Sequence, residues 1–260
     1  MPDITMENKR AGKGTYHVYR VHGDPKLDPK KELPSISTIA KHADTGGPGL
    51  LTWAARLAIE HNDVNAHQTV GAEAQAIGAE LHSNIDEYIK TKKQPTEPSP
   101  LFGLWYSSLN ERGVEFWGSE VMVYHPDGYA GTIDAIGHVN GVPTLFDWKT
   151  TDEFSYKKDK DGNFIYKENG QIDKDRKYLN NNNTHASQVA GYMSAIKYMA
   201  KGFEDMPQPR QAFIVYVFKD TKRVQWMKVN LDKATRVFKA SHTIYAVEHT
   251  PSKLFESGVI

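Results

Sequence analysis

The sequence of 260 residues predicts an α/β fold, and three observations lead to that expectation. Between about residues 36 and 112 the apolar positions recur with the helical period of about 3.6. After Gly113 the period changes to 2, which is typical of strands. Two strong hairpin signals, Pro126-Asp127-Gly128 and Asn140-Gly141, divide the strand-like region into three. We therefore expect a mixed sheet opened by a three-stranded antiparallel meander, flanked by helices and preceded by an N-terminal helical subdomain.

The change of period also divides the chain into two parts. Residues 1–112 are predicted to form an N-terminal segment and the helical subdomain, which packs on the core. Residues 113–260 are predicted to form that core, which is interrupted by a polar insertion at residues 152–183. Because Asn-Gly and Asp-Gly pairs occur inside the insertion, we expect it to contain a small hairpin.

The elements of the first part are assigned from capping residues and apolar spacing. Residues 16–21 could form a short edge strand. Residues 35–37 can cap a helix that begins near Ile39, and Pro48 suits the first turn of a helix that runs to Ile59. Two further helices are expected at residues 68–90 and 101–112, because three prolines between residues 91 and 100 break the helical pattern.

The elements of the second part follow from alternation and turn signals. Asn183 or Thr184 is expected to cap the first helix of this part, and that helix should end near Met199. Strands are expected at residues 115–125, 129–138, 142–149, 212–218 and 224–229, and a closing helix at residues 231–247.

Composition and charge exclude several classes of protein. The chain has no cysteine, which excludes a disulfide framework, thiolate zinc sites, iron–sulfur clusters and a cysteine nucleophile. Any metal must therefore be bound by oxygen and imidazole. The 32 basic residues balance the 32 acidic ones, so a polyanion would have to bind to a local surface. We find no apolar run near the roughly 20 residues of a membrane span and no signal sequence at Met1, and we expect a cytoplasmic protein without membrane contact.

The two hairpin turns fix a register that brings acidic residues together. The Asn-Gly turn pairs Val139 with Val142, and this register places Asp134 opposite Asp147. The Pro-Asp-Gly turn is typical of a three-residue loop, and that register places Glu120 opposite Asp134. The three carboxylates should therefore lie in one row, with neighbouring Cβ atoms roughly 5 Å apart. Lys149, two residues after Asp147, should project from the same face.

Such a row of carboxylates predicts a site for a divalent cation. Like charges that face each other across a sheet are unfavourable, and a cation removes the repulsion. Oxygen ligands suit magnesium or manganese rather than zinc. Lys149 beside them favours hydrolysis of a phosphodiester, which needs an activated water and a positive group at the developing charge. The alternative is a solvated acidic face, but Ile133, Leu145, Phe146 and Trp148 place large apolar groups on both faces of these strands.

Four motifs give the sequence a family resemblance. Gly131-Thr132-Ile133-Asp134, followed by Asp147-Trp148-Lys149-Thr150, resembles the motif of the PD-(D/E)xK nuclease superfamily, with Ile133 in place of the usual proline. Gly78-Ala79-Glu80-Leu81-His82 resembles the glycine-to-histidine motif of the RecB-like exonuclease branch. Gln188 and Tyr192, one helical turn apart, resemble its glutamine-tyrosine motif. The resemblance covers roughly residues 75–230 and extends to phage exonucleases and the mitochondrial genome maintenance exonuclease.

The resemblance implies a restriction-endonuclease-like core and a function. It implies magnesium- or manganese-dependent hydrolysis of DNA from an end, which leaves a 5′-phosphate. The expected location is the cytoplasm, which could be that of a host cell infected by a phage. The implied catalytic residues are Asp134, Asp147 and Lys149, assisted by Glu120. The implied metal ligands are His82, Asp134 and Asp147. Gln188 and Tyr192 are implied to hold DNA or the surroundings of the catalytic lysine, with His185 on the same helical face as a further DNA contact. The alternative is that Gln188 and Tyr192 are core and rim residues of a helix packed on the sheet.

The sequence allows two interpretations of the insertion and two alternative functions for the protein. The insertion joins directly onto the strand of Lys149, so it is expected to form a wall of a DNA passage. Its candidate contacts are Lys157, Lys158, Arg176 and Lys177, with Tyr156 or Tyr178 for stacking on unpaired bases. A solvated loop of balanced charge is the alternative for this segment. The alternative functions are a structure-specific endonuclease with the same site and a catalytically silent DNA-end-binding protein.

Overall fold

The computed structural model of the chain confirms the expected α/β class, with a mixed five-stranded sheet and helices packed against it. It describes residues 2–11, 14–43, 57–59, 62–63, 65–110, 112–157, 159, 163, 165–176, 179, 182–200 and 208–249. In these ranges there is no helix whose length and apolar character would allow it to cross a membrane.

The N-terminal segment forms a small antiparallel sheet. Its strands are β1 (Asp3–Ala11), β2 (Gly14–His22) and β3 (Leu33–Pro34), in the order β1-β2-β3. The edge strand expected at residues 16–21 lies in β2, which has a partner on each side. Strand β1 was not predicted, because its sequence mixes charged and apolar residues without a clear alternation. The N-terminal part is therefore not purely helical.

Three complete α-helices follow this sheet within the described ranges. They are α1 (Ile36–Ala40), α2 (Ala66–Thr91) and α3 (Pro100–Ser107), which is shorter than expected. The side chain of Ser35 accepts a hydrogen bond from the backbone N–H of Thr38 at 3.0 Å. Helix α1 therefore begins at Ile36 rather than near Ile39. Of the helix expected from Pro48 to Ile59, residues 57–59 are helical and the remainder lies outside the described residues.

The central sheet contains the predicted meander. Strands β4 (Val114–His125), β5 (Tyr129–Val139) and β6 (Val142–Thr151) pair antiparallel in sequence order. The insertion adds the hairpin β7 (Phe154–Tyr156) and β8 (Lys174–Arg176), as expected. After α4 (Asn183–Ala200), strand β9 (Gln211–Phe218) pairs parallel with β6, and β10 (Val224–Lys228) pairs antiparallel with β9. Helix α5 (Leu231–His249) ends the described chain.

Two apolar clusters cover the two faces of the central sheet. Leu145 of β6 points into a cluster that includes residues of α1, α4 and α5. Its neighbours Phe146 and Trp148 point into a second cluster that includes residues of α2 and α3. Because side chains alternate along β6, apolar residues of this strand contact helices on both faces of the sheet. Asp147 and Lys149, which belong to the same strand, therefore lie between two apolar layers.

Candidate metal centre

Both predicted registers hold up to the acidic residues and are interrupted there. The β5–β6 pairing runs from Val139 opposite Val142 to Ala135 opposite Phe146. Beyond it, the backbone N–H of Trp148 donates a hydrogen bond of 2.7 Å to Oδ2 of Asp134. The carboxylate of Asp134 therefore sits at the point where the two strands diverge.

Glu120 interrupts the other pairing. Strands β4 and β5 pair on each side of it in the expected register, which shifts by one residue only beyond Gly118, but Glu120 itself has a φ of 50°. A residue with a side chain rarely adopts this left-handed conformation inside a strand, and the strain costs of the order of 1–3 kcal/mol. The neighbouring residue holds this part of the strand in place, because Oγ of Ser119 donates a hydrogen bond of 2.7 Å to Oδ1 of Asp86 on α2. The strained residue faces the candidate site.

One imidazole and two carboxylates meet at this point, and we call them the acidic cluster: His82, Glu120 and Asp134. One ligand atom from each lies within 4.8 Å of the others. Glu120 is exposed, and the side chains of His82 and Asp134 are 30% and 13% exposed. Partial loss of hydration and the neighbouring charge of Asp134 raise the pKa of Glu120. The cluster thus carries charges that repel each other and would accept a cation.

The position of His82 follows from close packing of α2 on β6. Gly78, one helical turn before His82, lies so near the strand that a Cβ there would be 3.1 Å from Oγ1 of Thr150. At this approach, Nε2 of His82 lies 3.1 Å from the carbonyl oxygen of Trp148 and can donate to it. Nδ1 then keeps its lone pair, 3.7 Å from Oδ1 of Asp134. This arrangement leaves Nδ1 free to bind a metal.

Asp147 and Lys149 form a second group, the buried pair. Nζ of Lys149 lies 2.7 Å from Oδ2 of Asp147, which is fully buried. The expectation that both side chains share one face is confirmed. Burial raises the pKa of Asp147, and the ammonium of Lys149 opposes that shift. Burial lowers the pKa of Lys149, but the carboxylates of Asp147 and Asp134 raise it by more, so the amine stays protonated.

The expected metal ligands are thus distributed over both groups. His82 and Asp134 lie in the acidic cluster together with Glu120, which was expected only to assist. Asp147 is not part of that cluster, and apart from the ion pair with Lys149 its carboxylate oxygens receive no hydrogen bond from the described residues. Sequence reasoning did not anticipate that Asp147 would be buried while Glu120 would be exposed.

Helix α4 brings three of the expected residues to the buried pair. The side-chain amide of Gln188 donates to the hydroxyl of Tyr192 at 2.8 Å. Tyr192 is 4% exposed, and burial followed by the charges of Asp134 and Asp147 raises its pKa. Nδ1 of His185 lies 2.9 Å from the hydroxyl of Tyr216. The helix is capped by Asn182, whose side chain accepts from the N–H of His185 at 3.0 Å, rather than by Asn183 or Thr184.

Tyr19 lies beside the acidic cluster, a position that no local pattern in the sequence indicates. The hydroxyl of Tyr19, on the N-terminal sheet, lies 3.1 Å from Oγ1 of Thr132. Burial raises the pKa of Tyr19, and the charge of Glu120 contributes. A close approach also explains Gly131 in the motif, since a Cβ there would lie 2.6 Å from a ring carbon of Tyr192. Small residues around Thr132 let the N-terminal sheet and α4 close over the site.

The cations expected to contact DNA are partly engaged elsewhere. Nζ of Lys157 lies 2.8 Å from Asp173 and 3.3 Å from Asp175. Arg176 pairs with Glu153 at 2.7 Å. Three other candidates of the insertion, Lys158, Lys177 and Tyr178, lie outside the described residues.

Comparisons with known proteins give the chain no family. No protein-family model matches it, and no curated protein matches it. Among solved structures, it is similar to one titled "Crystal structure of SSO0001", at 14% sequence identity and a TM-score of 0.31. That match covers 78% of this chain and 82% of the other. A likeness this weak carries no argument about fold or function.

Proposed function

We propose that this chain is a metal-dependent deoxyribonuclease that hydrolyses phosphodiester bonds from DNA ends. The observation that carries the proposal is the meeting of His82, Glu120 and Asp134 from three separate elements, beside the Asp147–Lys149 pair. His82, Asp134, Asp147 and Lys149 are the positions that match the motifs of the RecB-like branch of the PD-(D/E)xK superfamily, and Glu120 was expected from the hairpin register. We extend the proposal to a restriction-endonuclease-like core, since the three strands of the meander carry the acids and β9 pairs parallel with the last of them.

The donor set fits magnesium or manganese. Two carboxylates lie with one imidazole within 4.8 Å of one another, and carboxylate oxygens are the hard ligands that these ions prefer. The imidazole is a softer ligand, which manganese accepts more readily than magnesium. A cation bound there would supply a Lewis acid for the phosphate oxygens and would lower the pKa of a bound water. His82 is already oriented for this role by its hydrogen bond to the backbone of β6.

The buried pair supplies the positive group. Lys149 remains an ammonium because of the neighbouring carboxylates, and it can donate hydrogen bonds to the attacking water and to the charge that develops on the phosphate. Asp147 holds the amine in place at 2.7 Å. The near-complete burial of Tyr192 favours a positioning role for it, in support of this pair, over direct contact with DNA.

The proposal is tested by a time course on linear DNA labelled at one end, with magnesium and with a chelator. We expect magnesium-dependent release of labelled mononucleotides or short products, and an intact covalently closed circle in the same assay. Cleavage of the circle would favour the endonuclease alternative. Binding to ends without cleavage under any divalent cation would favour the silent end-binding protein.

Glu120→Gln provides the matched variant for that assay. Glu120 lies in the acidic cluster, whereas Glu115 on the same strand is an exposed carboxylate paired with His138 at 3.0 Å. Glu120→Gln should lower the cleavage rate by about 10² or more, and Glu115→Gln should leave it unchanged. Equal activity of the two variants would contradict the assignment of the site.

A further inference from the structure

An open groove lies between the insertion hairpin and the turn that joins β9 to β10. It has a volume of about 640 Å³. Its walls include two aromatic rings, two lysines, an isoleucine and an aspartate: Phe154, Tyr156, Lys167, Lys174, Ile172 and Asp220. Aromatic rings beside cations in one groove are the combination that binds single-stranded nucleic acid, since bases stack on the rings and phosphates meet the cations.

The stacking surface of the groove is Tyr156. This side chain is 51% exposed, and Nζ of Lys174 lies 4.9 Å from its ring centroid. Lys174 has no carboxylate within ion-pair distance among the described residues. Lys167 is only loosely paired, at 4.0 Å from Asp173. The groove thus combines a half-exposed aromatic ring with positive charge.

The carboxylate of Asp220, which lines the groove, already accepts hydrogen bonds from the backbone. The oxygens of Asp220 accept hydrogen bonds from the backbone N–H groups of Glu153, Phe154 and Thr221, at 2.8, 3.2 and 2.9 Å. These bonds direct its charge towards the chain and lower the repulsion that a phosphate would meet.

The base of the hairpin is fixed to the central sheet. Glu153 is 2% exposed and pairs with Arg176 of β8 at 2.7 Å and with Arg223 at 2.9 Å. It also accepts a hydrogen bond from Thr221 at 2.7 Å. A buried carboxylate with this many donors ties both walls of the groove together. The groove is therefore preformed, which lowers the entropy cost of binding.

The groove is also close to the candidate metal centre along the chain. Phe154 follows Lys149 by five residues, so the two lie at most roughly 17 Å apart. Strands β6 and β9 run parallel, and both end at this edge of the sheet. The groove therefore lies at the edge of the sheet where these two strands end, a few residues beyond Lys149 along the chain.

We infer that this groove binds an unpaired DNA strand next to the cleavage site, with a base stacked on Tyr156 and phosphates at Lys174 and Lys167. The inference rests on the proposed function for its choice of DNA. Stacking on Tyr156 requires an exposed base face, which a duplex does not offer in its interior. The substrate would then be an end that carries a single-stranded segment.

The test measures binding of a fluorescent single-stranded oligonucleotide, and of a blunt duplex, in the presence of a chelator. Tyr156→Ala should weaken binding of the single strand roughly 5- to 150-fold, and Tyr156→Phe should retain it, because the ring is kept. Lys174→Gln should reduce the salt dependence of log Kd by about 0.7. Tyr166→Ala is the matched control, since Tyr166 is 59% exposed in the same insertion but does not line the groove.

The outcomes separate this inference from the proposed function. Equal binding of the single strand by wild type, Tyr156→Ala and Tyr166→Ala would overturn the groove, even if the protein cleaves DNA. Tighter binding of the blunt duplex than of the single strand would overturn it as well. A protein that loses single-strand binding in Tyr156→Ala, but never cleaves DNA with magnesium, would keep the groove and refute the nuclease.

Discussion

The acidic cluster and the buried pair differ in the surroundings of their charged groups, namely in burial and in the presence of a cationic side chain. In the acidic cluster, Glu120 is exposed, and neither it nor Asp134 has a lysine or arginine in ion-pair contact among the described residues. In the buried pair, Asp147 is fully buried and has its cation, Lys149, at 2.7 Å. The pair is neutral as it stands, and the cluster becomes neutral only when something binds.

This difference assigns different physical roles to carboxylates that lie in one motif. A buried charge is tolerated only with a partner, so the stability of the folded chain depends on Asp147 and Lys149 together. The charge of the cluster depends on solvent and on a bound cation, so binding depends on His82, Glu120 and Asp134.

The largest effect is expected from Lys149→Met, which leaves Asp147 buried without its cation. We expect the free energy of unfolding to fall by about 3 kcal/mol and cleavage to fall by about 10² or more. Urea unfolding and the end-label assay measure the two effects.

The double variant Asp147→Asn/Lys149→Met separates stability from chemistry. Because no lone charge stays buried, it should recover most of the lost stability while remaining inactive. A single variant as stable as the wild type, or a double variant less stable than Lys149→Met, would contradict the description of the buried pair.

The next effect concerns the cluster. Asp134→Asn keeps an oxygen that can accept from the N–H of Trp148, and it removes one of two repelling charges. With chelator, its melting temperature should equal or exceed that of the wild type. Magnesium at a hundred times its Kd should stabilise the wild type by about 2.7 kcal/mol, and the variant by much less. If the variant melts lower and still responds to magnesium, Asp134 is structural.

The sequence predicted the parts of this comparison that depend on turns and on alternation. The Asn140-Gly141 turn was enough to find the β5–β6 register, and the period of 2 was enough to place Lys149 beside Asp147. The turn and the alternation are local features, so a single sequence specifies them. The position of His82 beside the strand was expected only from the resemblance of the segment from Gly78 to His82 to a family motif.

The contrast in burial could not be read from the sequence. It depends on the left-handed backbone of Glu120 and on the bond from Trp148 to Asp134, and neither has a local signal. The missed β1 and the position of Tyr19 have the same cause, because long-range contacts decide them. Whether the chain binds DNA or metal remains a prediction.

A pH titration tests the buried half of the site. Burial, followed by the charge of Lys149, lowers the pKa of His185 from 6.5 to about 4. The unfolded chain therefore binds a proton between these values that the folded chain does not, and stability falls as the pH drops through this window. His185→Asn keeps a polar atom near Tyr216 but has no group that titrates in this window. Its free energy of unfolding should therefore lack the pH dependence that His185 causes. Urea unfolding at pH 7, 5.5 and 4 gives the difference, and identical pH profiles would place His185 in water.

The smallest effect should come from Gly78→Ala, and it isolates the position of His82. Alanine in a helix is favoured over glycine by up to about 1 kcal/mol, but here its Cβ would lie 3.1 Å from Thr150 and push α2 away from β6. We expect little net change in stability and a several-fold weaker affinity for magnesium, since Nδ1 of His82 moves with the helix. Gly71→Ala, on the same helix with nothing within 4 Å of its Cβ, should raise stability and leave magnesium affinity unchanged. Calorimetric titration of both variants decides the point, because equal magnesium affinities would mean that the close approach of α2 to β6 at Gly78 does not set the position of His82.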